Sequence, residues 1–146
     1  MALASPTLVL SHDQYEKIVR HCYDGLPDEA CGLLGGPVDR DGEPTGEVTK
    51  VYPCTNADHS SRTYTVDSRD LIRAKNDAEG PGHDLVGVWH SHTHTDAYPS
   101  DTDVRQAFEP TWMYALVTLK DPDPVIRAYR ITNGEISEIG VEIRDR

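Results

Sequence analysis

The chain has 146 residues, 37% hydrophobic and 27% charged, with 14 Lys+Arg against 25 Asp+Glu and a formal net charge of -11. That length suits a single domain, residues 1–146, around one core. The acidic balance argues against non-specific binding to nucleic acid or an anionic membrane, both of which need a basic face, and no apolar run approaches the roughly 18 residues of a membrane helix.

In chain order, the start, MALASPTLVLSHD, lacks the basic n-region of a secretory signal. Thr7–Leu10 reads as a first strand. Ser11 then caps a helix over about 12–24, with Tyr15, Ile18, Val19 and Cys22 on one stripe and Gly25 as its stop. Ala30–Gly36 is a short apolar run bounded by Pro27 and Pro37, the pattern of a buried strand. Residues 37–46, PVDRDGEPTG, are turn chemistry. Glu47–Pro53 and Arg62–Val66 read as strands. Asp67 or Ser68 caps a second helix that runs to about residue 79, before Gly80-Pro81. Leu85–Trp89 is a buried strand, Ser100–Phe108 a short helix closed by Pro110, and Trp112–Leu119 another strand. Val125–Ile131 and Glu135–Ile143 flank Asn133-Gly134, a strong hairpin signal. The sum is an α+β fold: a mixed or antiparallel sheet with two main helices and one short one. The cysteines Cys22, Cys31 and Cys54 show no CxxC spacing. They read as small packing residues in a reducing, cytoplasmic setting.

The chemistry gathers in WHSHTHTDAYPSDTD, residues 89–103, where His90, His92 and His94 occupy every second position. On an extended segment, residues i and i+2 point to the same side, roughly 6.6 Å apart at Cα. Two imidazoles can then lean onto one ion, and the segment offers two such pairs, His90/His92 and His92/His94. Ser100-Asp-Thr-Asp103 reads as an N-cap with an acid at N3. A carboxylate held in that first turn points back at the preceding loop and can serve as a third ligand. Two His and one Asp leave a fourth position open, the pattern of catalytic rather than structural zinc. A base outside the ligand set is also needed. Glu29 heads an apolar strand, where an acid is costly unless it has a partner or a role.

Together these residues resemble the JAMM (MPN+) metallopeptidase family, whose motif is an upstream Glu, then His-(Ser/Thr)-His, seven residues, Ser, two residues, Asp. His90-Ser91-His92, then Thr93 to Pro99, Ser100 and Asp103 match it. Starting instead from His92, the Ser and Asp positions fall on Thr102 and Arg105, so the resemblance selects His90 and His92. It implies an MPN (JAB1/MPN-like, cytidine-deaminase-like) fold. It implies one Zn²⁺ per chain held by His90, His92 and Asp103, Glu29 as the acid/base and Ser100 as an oxyanion donor. The implied reaction is hydrolysis of an amide or isopeptide bond at the C-terminal Gly of a ubiquitin-like protein. PDEACGLL, Thr55–Ala57 and the wording around HSHT resemble the compact Mec-type members of actinobacteria. Those release cysteine from a sulfur carrier (CysO) ending in Gly-Gly, in cysteine biosynthesis.

The alternatives explain less. A non-haem iron facial triad or a cupin would account for two His and a carboxylate, yet not for Glu29 or Ser100. A non-catalytic MPN scaffold would typically lack one of the five positions. His59 is placed near a substrate groove by the resemblance, His83 reads as a solvated loop residue, and His94 as a residue at the mouth. Trp89 and Trp112 read as core or groove wall. The sequence leaves oligomeric state open.

Overall fold

The computed structural model describes residues 6–145. Residues 1–5, the head of the segment read above as lacking a secretory signal, lie outside that range. The elements run β1 (Leu8–Ser11), α1 (His12–Asp24), β2 (Cys31–Pro37), β3 (Lys50–Cys54), α2 (Ser68–Ala78) and β4 (His83–His92). They continue with α3 (Asp101–Arg105), β5 (Met113–Thr118), β6 (Val125–Thr132), β7 (Glu135–Ile139) and β8 (Val141–Arg144). The α+β expectation is met. Six strands form one mixed sheet in the order β3-β2-β4-β5-β6-β7, while β1 and β8 pair in parallel as a second, two-stranded sheet.

The main sheet is apolar on both faces. Leu33 and Leu34 are neighbours in β2, yet Leu34 packs with Leu10, Ile18, Cys22 and Trp89 on the α1 side, whereas Leu33 packs with Ala74, Ala78 and Val88 on the α2 side. That is why β2, β4 and β5 read as continuous hydrophobic runs rather than alternating ones. Cys22, Cys31 and Cys54 are free, buried members of these cores. Gly32 lies opposite Trp89 across β2 and β4, and the indole fills the space a Cβ would need.

Local sequence sets the helix ends. Ser11 Oγ accepts the Gln14 amide (3.1 Å) and Gln14 Oε1 accepts the Ser11 amide (2.9 Å), a complete capping box. Asp67, not Ser68, caps α2. Among the described strands, β4 and β5 are the parallel neighbours of the main sheet. A parallel pair requires a crossover. Residues 93–112, with α3 inside them, make it, and so bring α3 back over the C-terminal end of β4.

Three expectations change. Arg62–Val66 forms no strand; one bridge, Asn56 to Val66, is all the pairing it has. The Asn56 side chain takes over instead, donating to the carbonyls of Glu29 and Thr63 and accepting the amides of Asp58 and Thr65. Glu135–Ile143 is split at Gly140 into β7 and β8, which join different sheets. The helix begun by Ser100 stops at Arg105, short of Phe108. No helix among the described residues is long and apolar enough to cross a membrane.

Candidate active site

β4 runs past the buried centre of the sheet and ends on His90-Ser91-His92, all buried. Alternation turns His90 and His92 to the α2 side and Ser91 to the other. Tyr64 stacks on the His90 ring, with centroids 4.1 Å apart and planes at 23°. His92 Nδ1 donates to the Asp96 carbonyl (2.7 Å), which fixes the ring and turns Nε2 inward. From above, α3 brings Asp103. Ser100 Oγ accepts the Asp103 amide (3.1 Å), and Asp103 Oδ2 accepts the Ser100 amide (2.9 Å), so the predicted cap is also what aims the carboxylate. Asp103 Oδ2 lies 3.2 Å from His90 Nε2 and 3.1 Å from His92 Nε2.

The fit to a metal can be judged from those separations. Ligands roughly 2.0–2.1 Å from a tetrahedral zinc stand about 3.3–3.4 Å from one another. The observed 3.1 and 3.2 Å need only a small outward adjustment. All three ligand-type atoms lie within 4.8 Å of each other and all three residues are buried. Two imidazoles and a carboxylate suit zinc and leave it an open position. A second trio, His12, Asp13 and Glu16, is solvent-exposed on α1 and lacks this enclosure.

Electrostatics follow from burial. Burial works against ionising Asp103, but the bonds from His90 and His92 outweigh it and hold the carboxyl well below its usual range. Burial dominates at His90 and lowers its pKa; at His92 burial is overcome by Asp103 and the Asp96 carbonyl, and the pKa rises.

Glu29 sits two residues before the start of β2 and is 5% exposed. Its backbone is tied down: the amide donates to the Ser60 carbonyl (2.8 Å) and its carbonyl accepts from Asn56 Nδ2 (2.9 Å). Its side chain is not, since Oε1 is buried with no hydrogen-bond partner among the described residues. Burial is the main cause that pushes its pKa up to about 8; His92 opposes this, and the charges of Asp103 and Asp58 add to it.

The five sequence-selected residues therefore come from three separate segments to one end of β4. Others fall outside. His94 is exposed, its Nδ1 bonded to the Thr93 hydroxyl (2.8 Å). His59 is exposed on the 57–62 loop with φ 47°. His83, read as solvated, instead heads β4 and bonds Thr49 Oγ1 and the Ala78 carbonyl. Cys31 packs in the α2-side core and is absent from the ligand cluster. Sequence reasoning missed Tyr64 and Asn56. An aromatic and an amide inside a polar loop are weak signals until the fold stacks Tyr64 on His90 and bonds Asn56 to the Glu29 carbonyl. An apolar groove of about 380 Å³ also adjoins the site, walled by Leu33, Tyr64, Leu71, Phe108, Trp112 and Tyr114. Phe108 is 81% exposed there.

Comparison with known proteins agrees with this reading of the fold. A family model described as prokaryotic homologs of the JAB domain matches residues 11–132. The chain is 39% identical over 137 residues to a CysO-cysteine peptidase of Mycobacterium tuberculosis, covering 93% of this chain and 90% of that one. It is 30% identical over 146 residues to a desampylase of Haloferax volcanii, covering 97% and 99%. A solution structure of a Desulfitobacterium hafniense protein superposes with a TM-score of 0.82 at 34% identity, covering 94% and 93%. The chain belongs to the prokaryotic JAB-domain family and is a hydrolase of the JAMM metallopeptidase type.

Proposed function

We propose that this protein is a zinc peptidase that cuts the amide bond after the C-terminal Gly of a small ubiquitin-like protein, releasing cysteine from a sulfur-carrier adduct. The observation that carries the reading is the buried, unpartnered Glu29 carboxylate beside three converging ligand-type atoms. A structural carboxylate at that depth would have a partner. A base waiting for a water need not.

His90, His92 and Asp103 would hold the zinc ion. When bound, that ion supplies a Lewis acid that polarises the scissile carbonyl and lowers the pKa of a water to about 7. Glu29 takes the proton from the attacking water and delivers it to the departing amine, and a pKa near the operating pH suits both transfers. Ser100 Oγ already accepts the Asp103 amide. Its own hydrogen is therefore free to donate to the oxyanion, a contact worth roughly 3–4 kcal/mol. Tyr64 and the Asp96 carbonyl hold the two imidazole planes. The apolar groove beside Tyr64 receives the body of the carrier, and its flexible C-terminal tail reaches the histidines. The three free cysteines are consistent with work in the cytoplasm.

The similarity to the M. tuberculosis peptidase supports a cysteine adduct as the substrate. The similarity to the desampylase supports a second reading, a protein conjugate of a ubiquitin-like modifier. The test sets purified zinc-loaded protein against a carrier ending Gly-Gly-Cys and against a carrier joined to a lysine side chain, with and without EDTA. Release of cysteine that EDTA abolishes is the expected result. Preferential cleavage of the lysine conjugate would favour the second reading, and full activity after metal removal would overturn both.

A further inference from the structure

Ser91 lies between the two histidines and faces away from them, at 0% exposure, on the α1 side of the sheet. A hydroxyl buried there is costly unless it is bonded. The register of β2 against β4 pairs Cys31 with His90, which sets Ala30 opposite Ser91. In a regular antiparallel pair the two residues would exchange both backbone hydrogen bonds. Here the Ser91 amide does donate to the Ala30 carbonyl (3.0 Å). The return bond is different: the Ala30 amide donates to the Ser91 hydroxyl (2.8 Å) rather than to its carbonyl. Pairing with β4 ends at that point, because the next amide on that edge, that of Asp28, turns to the Gly25 carbonyl, while the Glu29 amide on the opposite edge donates to the Ser60 carbonyl.

We propose that Ser91 is a positioning residue: by taking the Ala30 amide on its side chain, it sets where Glu29 leaves the sheet and so where its carboxylate stands relative to His90 and His92. The inference rests on the role proposed above for Glu29. Glu29 is then held by three bonds, to Ser60, Asn56 and, through its neighbour, Ser91. None of them touches its carboxylate. The middle residue of the His-Ser-His stretch thus ties the strand carrying two ligands to the segment carrying the base. A base held by its backbone alone can change proton partners without a hydrogen bond to break, which is the pre-organisation such a group needs.

The test compares Ser91→Ala with Ser91→Thr, which keeps the hydroxyl, in zinc-loaded protein. Four quantities are read: zinc content, the kcat and the KM for the carrier–cysteine adduct, and the position of Glu29 in crystal structures of both variants. Ser91→Ala is expected to keep zinc and KM within about twofold and to lose roughly 10–100-fold in kcat, the range seen when an outer supporting group is removed. Its Glu29 carboxylate should be displaced while His90, His92 and Asp103 stay in place. Ser91→Thr should restore both the position and the rate. If Ser91→Ala does not fold, Ser91→Cys, with a poor acceptor of similar size, is expected to show the same loss. Unchanged kcat and Glu29 position in the alanine or cysteine variant, loss of zinc, or failure of threonine to rescue would each overturn the proposal. If the wild type itself releases no cysteine, the proposed substrate is wrong, and the displacement of Glu29 still decides the role of Ser91.

Discussion

Replacing Glu29 by Gln should make the metal-free protein more stable at alkaline pH while removing its activity. The Glu29 carboxyl has a pKa of about 8 in the folded chain against 4.5 for the free group, chiefly because it is buried. Between those values the folded state keeps a proton that the unfolded state has released. Stability therefore falls as pH rises through this window and stays at the lower level above about 8. Each pH unit is worth about 1.36 kcal/mol, so the full window sets a ceiling of roughly 5 kcal/mol. Water reaching the rim of the site reduces it. Glutamine has nearly the same shape and carries no charge, so it escapes this penalty. Urea unfolding in EDTA, at pH 5 and pH 8.5, measures the difference. The variant should match the wild type within about 1 kcal/mol at pH 5 and exceed it by clearly more than that at pH 8.5. Parallel stability profiles would refute the reasoning, because they would mean that the ionised carboxylate is not held in a poorly solvated place.

Other outcomes follow from the same geometry. Asp103→Ala should lose zinc by elemental analysis, whereas Glu29→Gln keeps it and loses on the order of 10²–10⁴ in kcat. Ser100→Ala should cost α3 its cap, about 0.5–2 kcal/mol by denaturant unfolding, and lower kcat as the oxyanion contact is lost. Gly32→Ala drives a methyl group into the Trp89 indole and should destabilise by about 1–3 kcal/mol or more, read as a fall in Tm with zinc affinity largely kept in the folded fraction. Phe108→Asp, on the exposed wall of the groove, should raise KM for a carrier substrate far more than it lowers kcat.

Most of the site could be read from the chain because its chemistry is written in fixed local spacing. His90, His92, Ser100 and Asp103 lie on one strand end and one helix start, where alternation and capping dictate direction. Glu29 was legible through an energetic oddity, an acid heading an apolar strand. The loop from Asn56 to Val66 was not legible. Arg62–Val66 has strand-like propensity, but the Asn56 amide satisfies the backbone that a ladder would otherwise have paired, and such side-chain substitution leaves no periodic mark. The split at Gly140 was hidden for a related reason. One glycine lets adjacent apolar stretches enter different sheets, and only the partner of β8, far back at β1, decides it. Tyr64 and Ser91 are ordinary residues locally; Tyr64 matters once it stacks on His90, and Ser91 once the segment before β2 lies alongside it.

The pairing of β1 with β8 bears on how the chain is made. Leu8 is matched to Val141 and Ser11 to Arg144, so nearly the whole described length lies between partners. Contacts of that separation close late and slow the search for the native state. On a ribosome, α1 and the face it covers must wait for β8 before their core is complete, so the α1-side layer can only be finished after synthesis of residue 144. The catalytic end of β4 depends on that layer through Ser91 and Trp89. The histidine-bearing end of β4 therefore rests on a layer that is closed only when β8 has found β1.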